Sequence, residues 1–418
     1  MAGNKLLGGI GVALSHPQYR LYFYSNLIST IGRWIYRSSA GWFTWELTGS
    51  YEWLGIIAFA DIFPLVILAM FAGALSDRIG YMRVIRVTQL FAWILAGALA
   101  LLILTDTITI WILLGVTILH GCNEAMSTPP RVSIVNALVP QKDLSAAIGL
   151  NSAQFNASRV IGPAIGGSLL LFLNAGWVFA IAAVTFIQFY IALFFIRTES
   201  GNAGGEGKLS PALIRDMWDG IAYAWNDKGI RFLLALLALT GFLVRPFMEL
   251  APGFADKVFD MQSDGMAIIL SSVGAGGLIG SLFLARRGDT AGLTTLVTWS
   301  VGIQALALIL FAATENIWIG TIFLFSVGVS MLVTGVGSQT LIQNTVDSSV
   351  RARVMSLFVM LSWGLPALGA WIEGAVAEYF GLQWTVGIGA FLCLLFGLWA
   401  VRAGNRLKDQ LEYVPDRD

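Results

Sequence analysis

Gly73 to Arg83 reads GALSDRIGYMR, a short polar stretch with two framing glycines and the charges Asp77, Arg78 and Arg83. It separates two apolar runs, near 51–75 and 82–104, each long enough to cross about 30 Å of hydrocarbon as a helix at about 1.5 Å per residue. A polar turn this short cannot recross a bilayer, so the two helices it joins run antiparallel. Working outward, ten more runs of similar length follow the same rule, near 20–46, 108–130, 144–172, 176–196, 230–254, 264–285, 291–313, 316–341, 351–377 and 382–402. Twelve spans take up nearly all of the chain and leave no soluble domain of any size.

The composition agrees. Of 418 residues, 57% are hydrophobic and 12% charged, against roughly 25% charged in an average soluble domain. Of the 25 Lys and Arg, 20 fall at one set of helix ends, Lys257 alone falls at the other, and Arg33, Arg37, Arg159 and Arg245 fall inside spans. The positive-inside rule then puts both termini and the long middle loop in the cytoplasm. Cys122 and Cys393 lie in separate apolar helices without metal-ligand or redox spacing, so neither a disulfide nor a metal site is expected. The N-terminal residues before Arg20 read as an amphipathic lead-in on the inner surface rather than a cleaved signal.

The only long polar stretch, Arg197 to Lys228, begins with a glycine-rich linker and continues as LIRDMWDGIAYAW, read as a surface helix. It divides the chain into a six-helix lobe over 1–197, a linker over 198–228, a second six-helix lobe over 229–404 and a tail over 405–418. Sliding one half over the other by 207 places Gly73 on Gly280 and Val139–Leu150 on Val346–Leu357. Both matches lie in loops joining corresponding helices, as expected of a duplicated lobe. Parallel repeats of this kind build transporters with a midplane substrate site.

GALSDRIGYMR resembles the loop signature of the major facilitator superfamily, G-x-L-a-D-R-x-G followed by basic residues, at Gly73, Leu75, Asp77, Arg78 and Gly80. Tyr81 and Met82 depart from it. The resemblance implies a cytoplasmic gate in which Asp77 caps a helix and pairs with a base at the inner end of the fourth helix, here Arg131; a carboxylate is favoured at a helix N-terminus, and a few charge-assisted bonds can reopen. In the fifth helix, GLNSAQFNASRVIGPAIGG resembles the antiporter signature of exporters at Gly149, Gly162, Pro163, Gly166 and Gly167, with Ser158 in place of a second glycine. WELTGS, TPPRVSIVNALVP, NASRVIGP and IQNTVDSSVRARVMSL are similar to the branch that includes the enterobactin exporter and macrolide efflux proteins. An all-α fold of twelve membrane helices in two pseudo-symmetric lobes is therefore expected.

The spans hold four bases, Arg33, Arg37, Arg159 and Arg245, and four acids, Asp61, Glu124, Glu249 and Glu373. An unpaired charge at mid-helix costs about 2.5–3.5 kcal/mol on insertion scales, so these groups must face water or one another. Arg33 with Arg37, His120 with Glu124, and Arg245 with Glu249 are each four apart and predicted on common helix faces. Asp61 and Glu124, with His120 as relay, are read as proton carriers, the other reading being static pairs with Arg159 or Arg37. Arg33, Arg37, Trp34, Arg159, Arg245 and Glu249 are read as substrate-binding. Glu373 is placed near enough to the outer end of its helix to reach interfacial water.

These features point to a secondary transporter in the cell membrane, exporting a small amphiphilic or anionic molecule by alternating access and driven by protons. Its partners are the small-molecule substrate, protons and the lipid bilayer; it is read as a monomer without cofactor, metal or nucleic acid. A proton-independent uniporter or lipid flippase, and a non-transporting membrane sensor, are the alternatives. No G-x-x-x-x-G-K-[ST] loop for an ATP-driven pump occurs, and no constellation for an enzyme is recognisable.

Overall fold

A computed structural model describes residues 8–197, 220–287 and 289–412. Its helices are α1 (Gly8–Leu14), α2 (Pro17–Thr48), α3 (Tyr51–Ile79), α4 (Tyr81–Leu104), α5 (Ile110–Ser133), α6 (Leu144–Leu170), α7 (Ala175–Phe195), α8 (Lys228–Leu243), α9 (Ala251–Lys257), α10 (Ser263–Arg287), α11 (Leu293–Ala312), α12 (Ile317–Thr345), α13 (Ser348–Phe380) and α14 (Leu382–Leu411). No strand occurs among the described residues. Most of the predicted linker, 198–219, and the end of the tail, 413–418, lie outside the described residues, while 220–226 are helical.

Among the described residues, ten helices are long and apolar enough to cross a membrane. The two further spans are α2, with 32 residues, and α6, with 27. Both have the length, and both are diluted by polar side chains, among them Arg33 and Arg37 on α2 and Arg159 on α6. That polar content is what lowers their hydropathy. Outward-facing side chains such as Val87, Val184 and Ile322 are more than 60% exposed, as a surface solvated by lipid requires.

Helix ends show why these sequences stop where they do. Gly80 joins α3 to α4 with φ of +93°, a backbone that L side chains rarely adopt, so the second framing glycine of GALSDRIG is a steric requirement of the turn. Asn174, Asp227 and Asn316 cap α7, α8 and α12 by accepting backbone N–H bonds. Glu412 accepts from the Gly292 and Thr294 amides at 2.6 and 2.9 Å, tying the end of α14 to the start of α11.

The chain forms two compact units, residues 1–47 with 60–209, and residues 48–59 with 210–418. In the first, α4 packs on α5 and α7, around Phe179, Phe186 and Phe189, all fully buried. In the second, α11 packs on α12 and α14, the helices that correspond under the 207-residue offset. Phe254 meets Phe311 there with ring centroids 4.9 Å apart.

One predicted span is broken. The run 230–254 was expected as a single helix with Arg245 and Glu249 on one face; instead α8 ends at Leu243, Arg245–Met248 forms a 3₁₀ turn, Glu249 is its C-cap, and α9 starts at Ala251. Pro246 and Pro252 are the cause. Each lacks an N–H and clashes with the preceding turn, so the α-helical i, i+4 register does not pass through this segment.

Candidate functional site

The first unit gathers charges from α2, α3 and α5. Arg33 Nη1 lies 2.9 Å from Glu124 Oε2, and Arg33 Nη2 donates to Thr30 Oγ1 at 2.9 Å. Gln154 of α6 donates to the same threonine at 3.2 Å. One turn further along α2, Arg37 Nε is 3.8 Å from Asp61 Oδ2, and the other Asp61 oxygen lies 2.9 Å from His120 Nδ1. Two arginines a turn apart on α2 thus meet carboxylates from α3 and α5, and His120 and Glu124, also a turn apart, join both pairs to one face of α5.

Close backbone approach makes this geometry possible. A Cβ on Gly121, next to His120, would lie 2.5 Å from the Asp61 carbonyl oxygen, so α3 and α5 touch where the His120–Asp61 bond forms. Tyr36 stacks on His120 with centroids 4.3 Å apart and is 2% exposed. Trp34 turns the other way, to Phe155 of α6 and beneath the Arg37 guanidinium, 5.8 Å from the ring centroid. His120 Nε2, Glu124 Oε1, Arg33 Nε and the Tyr36 hydroxyl are buried without a hydrogen-bond partner among the described residues, leaving bonding capacity beside the ion pairs.

The other sequence-selected residues are placed as follows. Arg159 of α6 is half-buried. Arg245, in the second unit, donates to the Ser362 carbonyl at 2.6 Å. Gly162 and Gly166 of α6 pack on Trp34 and Ser38 of α2, Ser158 is fully buried, Gly167 and Pro163 are buried, and Gly149 has nothing within 4 Å of the place a Cβ would take.

Asp77 and Arg131 are not brought together. Asp77 Oδ1 accepts from the hydroxyl of Tyr81 at 2.6 Å. Arg131 is 7% exposed, donates to Gln89 Oε1 at 2.6 Å and lies over the Phe189 ring. It ends α5 on the face packed against α4, where Gln89 also holds Ser29 Oγ and the Phe186 carbonyl. Tyr81, which departs from the superfamily pattern, occupies the hydrogen-bonding place a base was expected to take. Glu373 also differs from expectation: it is 7% exposed, with Gly389 of α14 beside its carboxyl and the neighbouring Ala370 and Gly374 packed on the first turns of α3. Gln89 and Thr30 were missed by sequence reading, since neutral polar residues in a span carry no charge to flag them.

A bundle of membrane helices with ion-paired arginines and carboxylates in its interior, and the GALSDRIG turn between its second and third spans, is a transporter of the major facilitator superfamily. The model of the transmembrane secretion effector family matches residues 11–416, and the chain belongs to that family. The staphyloferrin A transporter of Staphylococcus aureus is 25% identical over 94% of this chain and 98% of its own length. The multidrug efflux pump Tap of Mycolicibacterium fortuitum is 24% identical over 91% and 94%. A bacterial homologue of the human lysosomal transporter Spinster, in an inward-facing and unoccupied conformation, shares the fold with a TM-score of 0.72 at 15% identity, over 98% of this chain and 99% of that one. The chain is a multi-pass membrane transporter, not an enzyme.

Proposed function

We propose that this transporter exports a small amphiphilic molecule bearing an anionic group, by alternating access and in exchange for protons. The observation that carries the reading is the double pair on α2, Arg33 with Glu124 and Arg37 with Asp61. A carboxylate held by an arginine is charged; adding a proton to it removes the negative charge and leaves the guanidinium to attract an anion. Loss of that proton restores the pair and expels the anion. His120, bonded to Asp61 and four residues from Glu124, passes a proton between the two in this reading. One charge crossing 100 mV supplies about 2.3 kcal/mol. The name of the efflux pump Tap supports outward movement, and that of the staphyloferrin A transporter supports a small-molecule substrate. The charge asymmetry of the loops supports cytoplasmic termini, with the Asp77 turn on the cytoplasmic side.

The test is uptake into inside-out vesicles of a panel of anionic, neutral and cationic compounds. We expect an anionic compound to be preferred, with uptake stopped by collapsing the proton gradient. Arg33→Ala and Arg37→Ala should each lower its uptake about tenfold or more, the loss of one charge-assisted contact worth about 1.5–3 kcal/mol. Full transport by both arginine variants refutes anion binding; flux that survives collapse of the gradient refutes proton exchange.

A further inference from the structure

Glu373 lies on α13 seven residues from its end at Phe380, roughly 10 Å along the helix. Its side chain is enclosed: 7% of the residue is exposed, and neither carboxyl oxygen has a hydrogen-bond partner among the described residues. The enclosure comes from backbone contacts on both sides of it. A Cβ on Gly369, one turn back, would lie 2.5 Å from the Phe242 carbonyl oxygen at the end of α8. On the other flank, Gly374 meets the Tyr51 carbonyl and Ala370 meets Gly55, closing α13 against the first turns of α3. Between these contacts the carboxyl points to α14, where a Cβ on Gly389 would be 3.5 Å from Glu373 Oε1 and 3.2 Å from the Leu243 carbonyl oxygen. Leu243 closes α8, so its carbonyl is one of the last four without a bond inside that helix.

Among the described residues no cation answers this carboxyl. α14 has no charged residue before Arg402, α12 has none, and α8 has none after Arg231. At this end of the second unit the charges are Glu52, Arg245, Glu249, Asp256, Lys257, Asp260, Asp264, Glu315 and Glu378, so its bases are Arg245 and Lys257. Arg245 is bonded to the Ser362 carbonyl, eleven residues back along α13; Lys257 pairs with Asp256 at 2.9 Å; Glu249 caps its 3₁₀ turn; Glu378 accepts from Ser50 Oγ and the Tyr51 amide at the start of α3. An enclosed carboxylate with neither cation nor donor costs several kcal/mol, a cost the neutral acid avoids.

We propose that Glu373 is a proton-binding site of the second unit, taking a proton from water and returning it to water as the contact of the 51–55 turn with α13 closes and opens in the transport cycle. The proposal rests on the proton-coupled reading above and adds a carrier outside the arginine-paired carboxylates. Unlike Asp61 and Glu124, Glu373 binds its proton without displacing an arginine, so its occupancy is set by enclosure alone.

Dicyclohexylcarbodiimide, which modifies protonated carboxyls in apolar surroundings, is the probe. The purified full-length protein is labelled over a pH series and the adducts are mapped by peptide mass spectrometry, beside Glu373→Gln, Glu373→Asp and Asp61→Asn. We expect an adduct on Glu373 whose rate falls about tenfold per pH unit above its midpoint, is absent in Glu373→Gln, is kept in Glu373→Asp and is unchanged in Asp61→Asn. No adduct on Glu373, or one independent of pH, overturns the proposal, the latter marking a fixed buried acid. Failure of the proton-coupled reading is separate: it shows as wild-type vesicle uptake that survives collapse of the gradient, whatever Glu373 does.

Discussion

Arg33→Leu should destabilise the detergent-purified protein more than the double substitution Arg33→Leu with Glu124→Leu. The single change leaves Glu124 in the interior of the first unit with neither oxygen answered by a base at 2.9 Å, since Oε1 already has no partner. Removing one member of such a pair exposes the cost of desolvating the other, whereas removing both removes the cost as well. Both side chains retain about a fifth of their surface, 17% for Arg33 and 22% for Glu124, so the penalty falls below that of a fully buried pair. About 2 kcal/mol is expected for the single change, and most of it should return in the double. Thermal unfolding of the three proteins in one detergent reads this directly. Transport should be lost in both variants, because stability depends on the pair being balanced while function depends on the arginine being present. If the double variant is no more stable than the single, Arg33 is held by Thr30 and its packing, and the pair is not the element that protonation releases.

The pair also shows where sequence reading reaches its limit. Two arginines four apart in an apolar run require acids, and the acids of the same half were visible; which acid met which arginine was not. That depends on the close approach of α3 and α5 at Gly121 and on the rotation of α5, neither of which is local. The twelve spans were legible because lipid imposes one rule on every residue of a helix, and the Gly80 turn was legible because glycine at that place is a backbone requirement. The break at Pro246 was written in the sequence, yet the apolar run continues across it, so hydropathy alone read through. Arg131 was assigned to Asp77 by resemblance, while its actual partner, Gln89, comes from α4, and a tyrosine of the chain's own turn took the aspartate. Glu373 was misplaced because its distance from a helix end fixes depth but not cover. Gly389 beside its carboxyl, and Tyr51 and Phe242 packed on the flanking Gly374 and Gly369, are each remote in the chain.

Gly162→Val should abolish transport, and Gly149→Ala should leave it intact, although both glycines belong to the same antiporter-like pattern on α6. The pattern equates them; the packing separates them. A Cβ on Gly162 would overlap the Trp34 Cβ and lie 3.1 Å from the Ile31 carbonyl oxygen, so α6 touches the backbone of α2 there. Trp34 follows Arg33 in the chain, and α2 cannot be pushed away without moving Arg33 from Glu124. Overpacking at such a contact costs about 1–3 kcal/mol, and a shift of about 1 Å at a 2.9 Å ion pair is enough to break it. Gly166→Ala should fall between the two, because its nearest neighbour, Ser38 Oγ at 2.8 Å, can change rotamer. At Gly149 nothing lies within 4 Å, so alanine there should match the wild type in vesicle transport and gain up to about 1 kcal/mol from the helix backbone. Size-exclusion profiles keep folding apart from function in each case. Should Gly149→Ala fold normally yet fail to transport, its role lies outside the contacts of the first unit, and the pattern is more than a device for packing α6 on α2.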